Sequence, residues 1–238
     1  MVETIELGEI NAEVIRKDIK NVHLSVYPPD GKVKISAPAR MKLDAIRAFA
    51  LSKLDWIKTQ RRKMREQERE TPRDFVNRES HYVWGKRYLL KVVEHDAPPR
   101  VELDHGTMLL HVRPGTDTAR KREIVAEWYR SEIRGALPTL IEKWEALLGV
   151  KVERFFIQGM RTKWGSCNHS AGSIRLNTEL AKKPRECLEY VLVHEMIHLI
   201  EPTHGPRFIE LISGAMPKWK LYRDNLNRLP VRHEKWDY

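Results

Sequence analysis

His194-Glu-Met-Ile-His198 carries two imidazoles four residues apart, with a carboxylate beside the first. On a helix, residues so spaced share one face and lie about 6 Å apart along the axis. Two such rings can converge on one ion at metal–nitrogen distances of about 2.0–2.1 Å. Glu195 then reaches water beside the ion without binding the ion itself. A carboxylate in that place takes a proton from water as it attacks a carbonyl carbon. The pattern is an H-E-x-x-H motif, whose chemistry is metal-assisted hydrolysis.

The surroundings of the motif favour a metal over two ordinary core histidines. From Val191 to Ile200, every residue except His194, Glu195 and His198 is apolar. The helix is therefore expected to be buried on most sides. A glutamate and two histidines buried without partners would cost several kcal/mol, about what an isolated buried charge costs. A metal removes that conflict. A catalytic zinc takes three protein ligands and leaves one position open. His204 is the best third ligand, because Pro202 breaks the helix and lets the chain turn back. Glu201 and Glu210 are the weaker choices. One Zn2+ per chain is expected; manganese, nickel and cobalt stay open.

Helices and strands must position these groups. Val22–Val26 and Lys32–Ser36 alternate apolar and polar residues around a Pro-Pro-Asp-Gly turn, as a hairpin does. A helix is predicted over 43–70, from Ile46, Phe49, Ala50, Leu54 and Ile57. Tyr82–Gly85, Tyr88–Val93 and Met108–Val112 read as strands. A helix follows from Ala119, which Pro138 should kink or divide. Arg154–Ile157 and Gly172–Asn177 read as strands joined by a loop containing Lys163–Cys167. The motif helix is expected from about Pro184 to Ile200, and Pro206 can open the next. The fold class is α+β. Residues 1–115 form a β-rich region with a helix, and residues 116–238 form the catalytic domain.

Composition narrows the class of protein. Of the 238 residues, 41% are hydrophobic and 32% charged, which is the balance of a soluble globular chain. No uncharged apolar run approaches the ~20 residues of a membrane span. The first ten residues are acidic and do not read as a secretory signal. Two cysteines, Cys167 and Cys187, make no disulfide framework, so a cytoplasmic setting is expected. The net charge of +10 leaves room for nucleic acid or nucleotide partners.

Beyond the motif, the chain resembles the YgjP-like metallopeptidases. His194–His198 with His204-Gly-Pro-Arg-Phe208 is similar to one signature of that family. Arg161–Cys167 with Ser173–Asn177 is similar to a second. Asp55-Trp-Ile57 and Trp84-Gly-Lys-Arg-Tyr88 are weaker landmarks. The resemblance implies a zincin-type catalytic domain with a small sheet, related to the SprT-like and WLM metalloproteases. Those relatives act on DNA-bound proteins or in ubiquitin-like systems. It also implies a sheet-edge strand that pairs with an extended peptide. Carried onto this chain, that edge falls within Gly172–Asn177 and includes Ile174 and Asn177. The Lys163-Trp164-Gly165-Ser166 loop would border the cleft. Arg161, Lys163, Arg207 and Tyr222 are candidate donors to the transition-state oxyanion. The expected function is peptide hydrolysis by a metal-activated water with Glu195 as general base. Two alternatives carry the same site: a metal-dependent nucleotide pyrophosphohydrolase, and a DNA-associated protease or binding protein. Oligomeric state is not legible.

Overall fold

A computed structural model describes residues 2–27, 31–66, 73–160 and 163–228. The chain divides into two compact units, with the boundary between Thr71 and Pro72.

The first unit is a four-stranded sheet with two helices. Its strands are β1 (Val2–Leu7), β2 (Ile10–Lys17), β3 (His23–Tyr27) and β4 (Lys32–Pro38), in the order β1-β2-β4-β3. β3 and β4 are the antiparallel pair that the alternation predicts, with Leu24 opposite Ile35. The turn at 28–30 lies outside the described residues. Ile10, Ala12 and Val14 of β2 are buried, and so are Val33, Ile35 and Ala37 of β4. Every second side chain thus faces the core. Ile46, Ala50 and Ile57 of the helices close over that face. The predicted single helix is two, α1 (Leu43–Ser52) and α2 (Leu54–Glu66). The Ser52 hydroxyl donates to the Phe49 carbonyl at 2.7 Å, and Lys53 leaves helical geometry. A hydroxyl bonded back to its own helix competes with the regular ladder.

Among the described residues, the second unit holds two sheets and four α-helices. One sheet has β5 (Ser80–Val83), β6 (Lys86–Glu94), β7 (Arg100–Asp104) and β8 (Thr107–Val112), ordered β5-β6-β8-β7. The other has β9 (Arg154–Gln158), β10 (Gly165–Asn168) and β11 (Ser173–Asn177), ordered β10-β11-β9. The helices are α3 (Thr118–Leu148), α4 (Arg185–Ile197), α5 (Pro206–Ala215) and α6 (Trp219–Arg228). Val83, Leu90, Met108 and Leu110 of the first sheet share one buried cluster with Ile133 of α3, Ile174 of β11 and Leu192 of α4. The unit boundary therefore lies at Thr71/Pro72 rather than near Gly115. Strands 80–112 cannot leave α4 without exposing that cluster. Gly85 (φ +79°) shows how close the fit is: an added Cβ would stand 2.9 Å from Cγ of Pro184.

α3 runs unbroken for 31 residues despite Pro138. Proline forfeits one ladder bond and crowds the preceding turn. Here Tyr129, Ile133, Leu137 and Ile141 form one buried stripe through that point, and tertiary burial holds the helix together. Asp117 caps its start, accepting the Arg120 amide at 2.7 Å, and Gly149 in left-handed conformation ends it.

Candidate metal centre

α4 is the buried spine of the second unit. Its apolar residues leave almost no polar face: Leu188, Val191, Leu192, Val193, Met196 and Ile197 are all buried. Pro184 stands extended just before its first turn, at the cap rather than inside the helix. The helix ends at Ile197, three residues before the expected stop, with His198 as its cap. Ile200 and Glu201 donate back to the Ile197 carbonyl at 2.9 Å each. Pro202 has no amide to continue the pattern. The chain folds back there, and α5 opens on Pro206.

That reversal brings three imidazoles together. His204 Nε2 lies 3.0 Å from His194 Nε2 and 3.1 Å from His198 Nε2. One ligand atom from each ring falls within 4.8 Å of the others. A tetrahedral ion at 2.0–2.1 Å from its ligands needs them roughly 3.3–3.4 Å apart. The two separations from His204 are within a few tenths of an ångström of that. His198 Nδ1 donates to the Glu201 carbonyl at 3.0 Å, which leaves Nε2 with its lone pair free. Burial, with the neighbouring rings His198 and His204, pushes the His194 imidazole down to about 4. His204 is lowered too, by burial and then by His198. Neutral rings are the form that binds metal. Phe208 of α5 touches all three, with ring centroids 4.8–4.9 Å away. The residues present fit a divalent ion with three nitrogen ligands.

Glu195 is buried at 7% exposure. Burial pushes its carboxyl up to about 7, against the pull of the nearby Lys163 charge. The backbone of β10 presses on it. A Cβ on Gly165 would stand 2.7 Å from Glu195 Oε1 and 2.9 Å from Cγ1 of Val191. Only glycine permits that approach.

A cleft of about 440 Å3 opens over these groups, walled by Lys163–Cys167, α4 and α6. Lys163 and Trp164, singled out in the sequence, both line it. Residues 165–168, read as loop, form a strand. β10 pairs antiparallel with β11 alone, while β11 is the central strand between β10 and β9. The sheet edge facing the cleft is thus β10, and the placement within Gly172–Asn177 is corrected. Ile174 is fully buried and has no surface to offer a substrate. Asn177 is buried as well and works inward. Its amide donates to the carbonyls of Met160 and Lys163 at 2.8 and 2.9 Å, pinning the approach to β10. Arg207 is exposed on the first turn of α5 and is not part of the cleft wall; neither is Tyr222. Arg161 lies outside the described residues. Cys167 faces the cleft, and burial pushes its thiol up to about 11, with Glu195 adding to the shift.

Tyr190 and Arg223 of the cleft, and Phe208 against the three imidazoles, were not read from the sequence as site residues. Tyr190 stands one turn before His194, with ring centroids 6.0 Å apart, so its four-residue spacing was a usable signal. Nothing local marks Arg223, which arrives from α6.

No curated protein matches this chain. Among solved structures, the metallopeptidase zymogen abylysin of Pyrococcus abyssi is similar over 39% of this chain and 97% of its own, at 22% identity and a TM-score of 0.35. The metallopeptidase zymogen jannalysin of Methanocaldococcus jannaschii is similar over 37% and 90%, at 19% identity and a TM-score of 0.34. Likeness of that size decides nothing about the site. Among the described residues, no helix is long and apolar enough to cross a membrane. The family described as YgjP-like, metallopeptidase domain, matches residues 20–229. The chain therefore belongs to the YgjP-like metallopeptidase family and is a metal-dependent hydrolase of peptide bonds.

Proposed function

We propose that His194, His198 and His204 hold one Zn2+ through their Nε2 atoms, and that Glu195 is the general base of peptide hydrolysis. The observation that carries this reading is the convergence of the three Nε2 atoms beside a buried carboxylate. Bound zinc supplies Lewis acidity, lowering the pKa of water and polarising the scissile carbonyl. Glu195 takes a proton from the attacking water and returns it to the leaving amine nitrogen. Gly165 leaves the carboxylate the room to stand at that position. Phe208 and Trp164 give the site apolar walls that exclude bulk water.

The free edge of β10 seats the substrate. An extended peptide laid along Gly165–Asn168 would add a strand to the sheet, its carbonyls and amides meeting unpaired backbone. Lys163, at the entrance to that edge, is a substrate contact. Two free thiols, Cys167 and Cys187, suit a reducing compartment such as the cytoplasm.

Glu195→Gln tests the assignment. The variant should bind one zinc per chain as the wild type does, and lose about 10²–10⁴-fold in turnover of a peptide library. Wild-type turnover by this variant would overturn the role given to Glu195. Loss of zinc from the variant would place Glu195 among the ligands instead.

A further inference from the structure

Two cations stand in the cleft wall, one from each of two separate elements. Lys163 precedes β10, and its backbone is pinned by Asn177. Its side chain is exposed and makes no ion pair among the described residues. Its charge is felt at the Glu195 carboxyl. Arg223 comes from α6 and is held in place. Its guanidinium lies over the Trp219 ring, 5.0 Å from the centroid, and its Nε and Nη2 each approach Asp224 Oδ1 at 3.0 Å. Its charge is felt at Tyr190, across the same cleft.

Against these stands a single carboxylate. Among the described residues that line the cleft, Glu195 is the only acidic one, and it is committed to proton transfer. Asp224 partly offsets Arg223, but it is half exposed and is not part of the wall. The three histidines are neutral when they ligate, so a divalent ion adds charge that the wall does not cancel. A concave site with this balance concentrates positive potential, and the groups that answer it belong to the substrate. Arg223 presents a planar fork and Lys163 a mobile point charge; both geometries match a carboxylate.

We propose that the cleft selects peptides with a carboxylate close to the scissile bond, and that Lys163 and Arg223 are the residues that select it. The inference rests on the peptidase reading of the site. The carboxylate can belong to an acidic side chain or to the peptide's own C-terminus, and the two sources are separable by experiment.

Three matched sets of quenched fluorescent peptides serve. One has internal Gln and an amidated C-terminus. A second replaces Gln by Glu and keeps the amide. A third keeps Gln and has a free C-terminal carboxylate. The full-length, zinc-loaded wild type should show a kcat/KM about 10- to 100-fold higher for the second or third set than for the first. The preferred set names the source. Arg223→Gln and Lys163→Gln should each shrink that ratio toward one, while Arg223→Lys, which keeps the charge and loses the fork, should fall between wild type and Arg223→Gln. The same peptides bound to the zinc-loaded Glu195→Gln protein, followed by fluorescence anisotropy, should show the same order of affinity, weakening as salt rises. Equal treatment of the three sets by the wild type would overturn the proposal, and so would a ratio unchanged in both Gln variants. Failure of the wild type to cleave any set would count against the peptidase reading alone. The anisotropy ranking would still decide the carboxylate preference.

Discussion

At the scale of single residues, the proposed base is positioned by a glycine. Gly165 lends no functional group; it lends the absence of one. With a Cβ 2.7–2.9 Å from Glu195 and Val191, something must shift, and the movable partner is the carboxylate arm. Gly165→Ala is therefore expected to lower kcat/KM by about tenfold to a hundredfold, the cost of misplacing a catalytic group by around 1 Å. Zinc stoichiometry should stay at one per chain, because the atoms nearest that Cβ belong to Glu195 and Val191 rather than to an imidazole. Titration with a chromogenic chelator and steady-state kinetics together check this. Turnover within twofold of wild type would show that Glu195 does not depend on the close approach.

Elements decide where the substrate can lie. β10 is four residues, Gly-Ser-Cys-Asn, with no branched or aromatic side chain and no alternation. It is a strand because β11 offers it a partner, with Cys167 opposite Ile174. Asn177 at the end of β11 ties the preceding loop down. It also accepts the Glu179 amide at 3.2 Å, so one buried side chain joins loop, strand and the following turn. Asn177→Ala removes the donor that holds the Met160 and Lys163 carbonyls. It should cost about 1–2 kcal/mol of stability, the net worth of the hydrogen bonds lost. Urea denaturation followed by fluorescence checks this: the midpoint should fall with the slope unchanged. KM should rise in step, because the Lys163 backbone loses its anchor. A midpoint equal to that of wild type would mean that the loop is held by other contacts.

For the whole molecule, the relevant fact is two separate cores. Ile35 sits fully buried among β2, β4, α1 and α2, in a cluster that contains no residue of the metal centre. Ile35→Ala should destabilise the first unit by about 2–5 kcal/mol, as buried aliphatic truncations do. The zinc affinity of the second unit should be unchanged. Calorimetry alongside zinc titration reads both quantities from one sample. Zinc binding lost in parallel with the first unit's melting would show that the two units fold as one.

The sequence by itself determined what local chemistry can encode. Four-residue spacing between His194 and His198 needs only helical geometry to mean something, and Pro202 marks the turn from its own missing amide. The alternation of Leu24, Val26, Val33 and Ile35 likewise needs only the strand repeat. Tertiary structure decided whatever depends on partners distant in the chain. Pro138 and the Pro-Gly pair at 114–115 carry strong local breaking signals. Burial overrode the first, and a shared core placed the unit boundary upstream of the second. β10 took its strand form from β11, which moved the open edge away from Ile174 and Asn177. Arg223 reached the cleft only because α6 packs on α4, a contact with no trace in the residues around it. Periodicity and spacing are properties of neighbours along the chain; edges, cleft walls and charge balance are properties of neighbours in space.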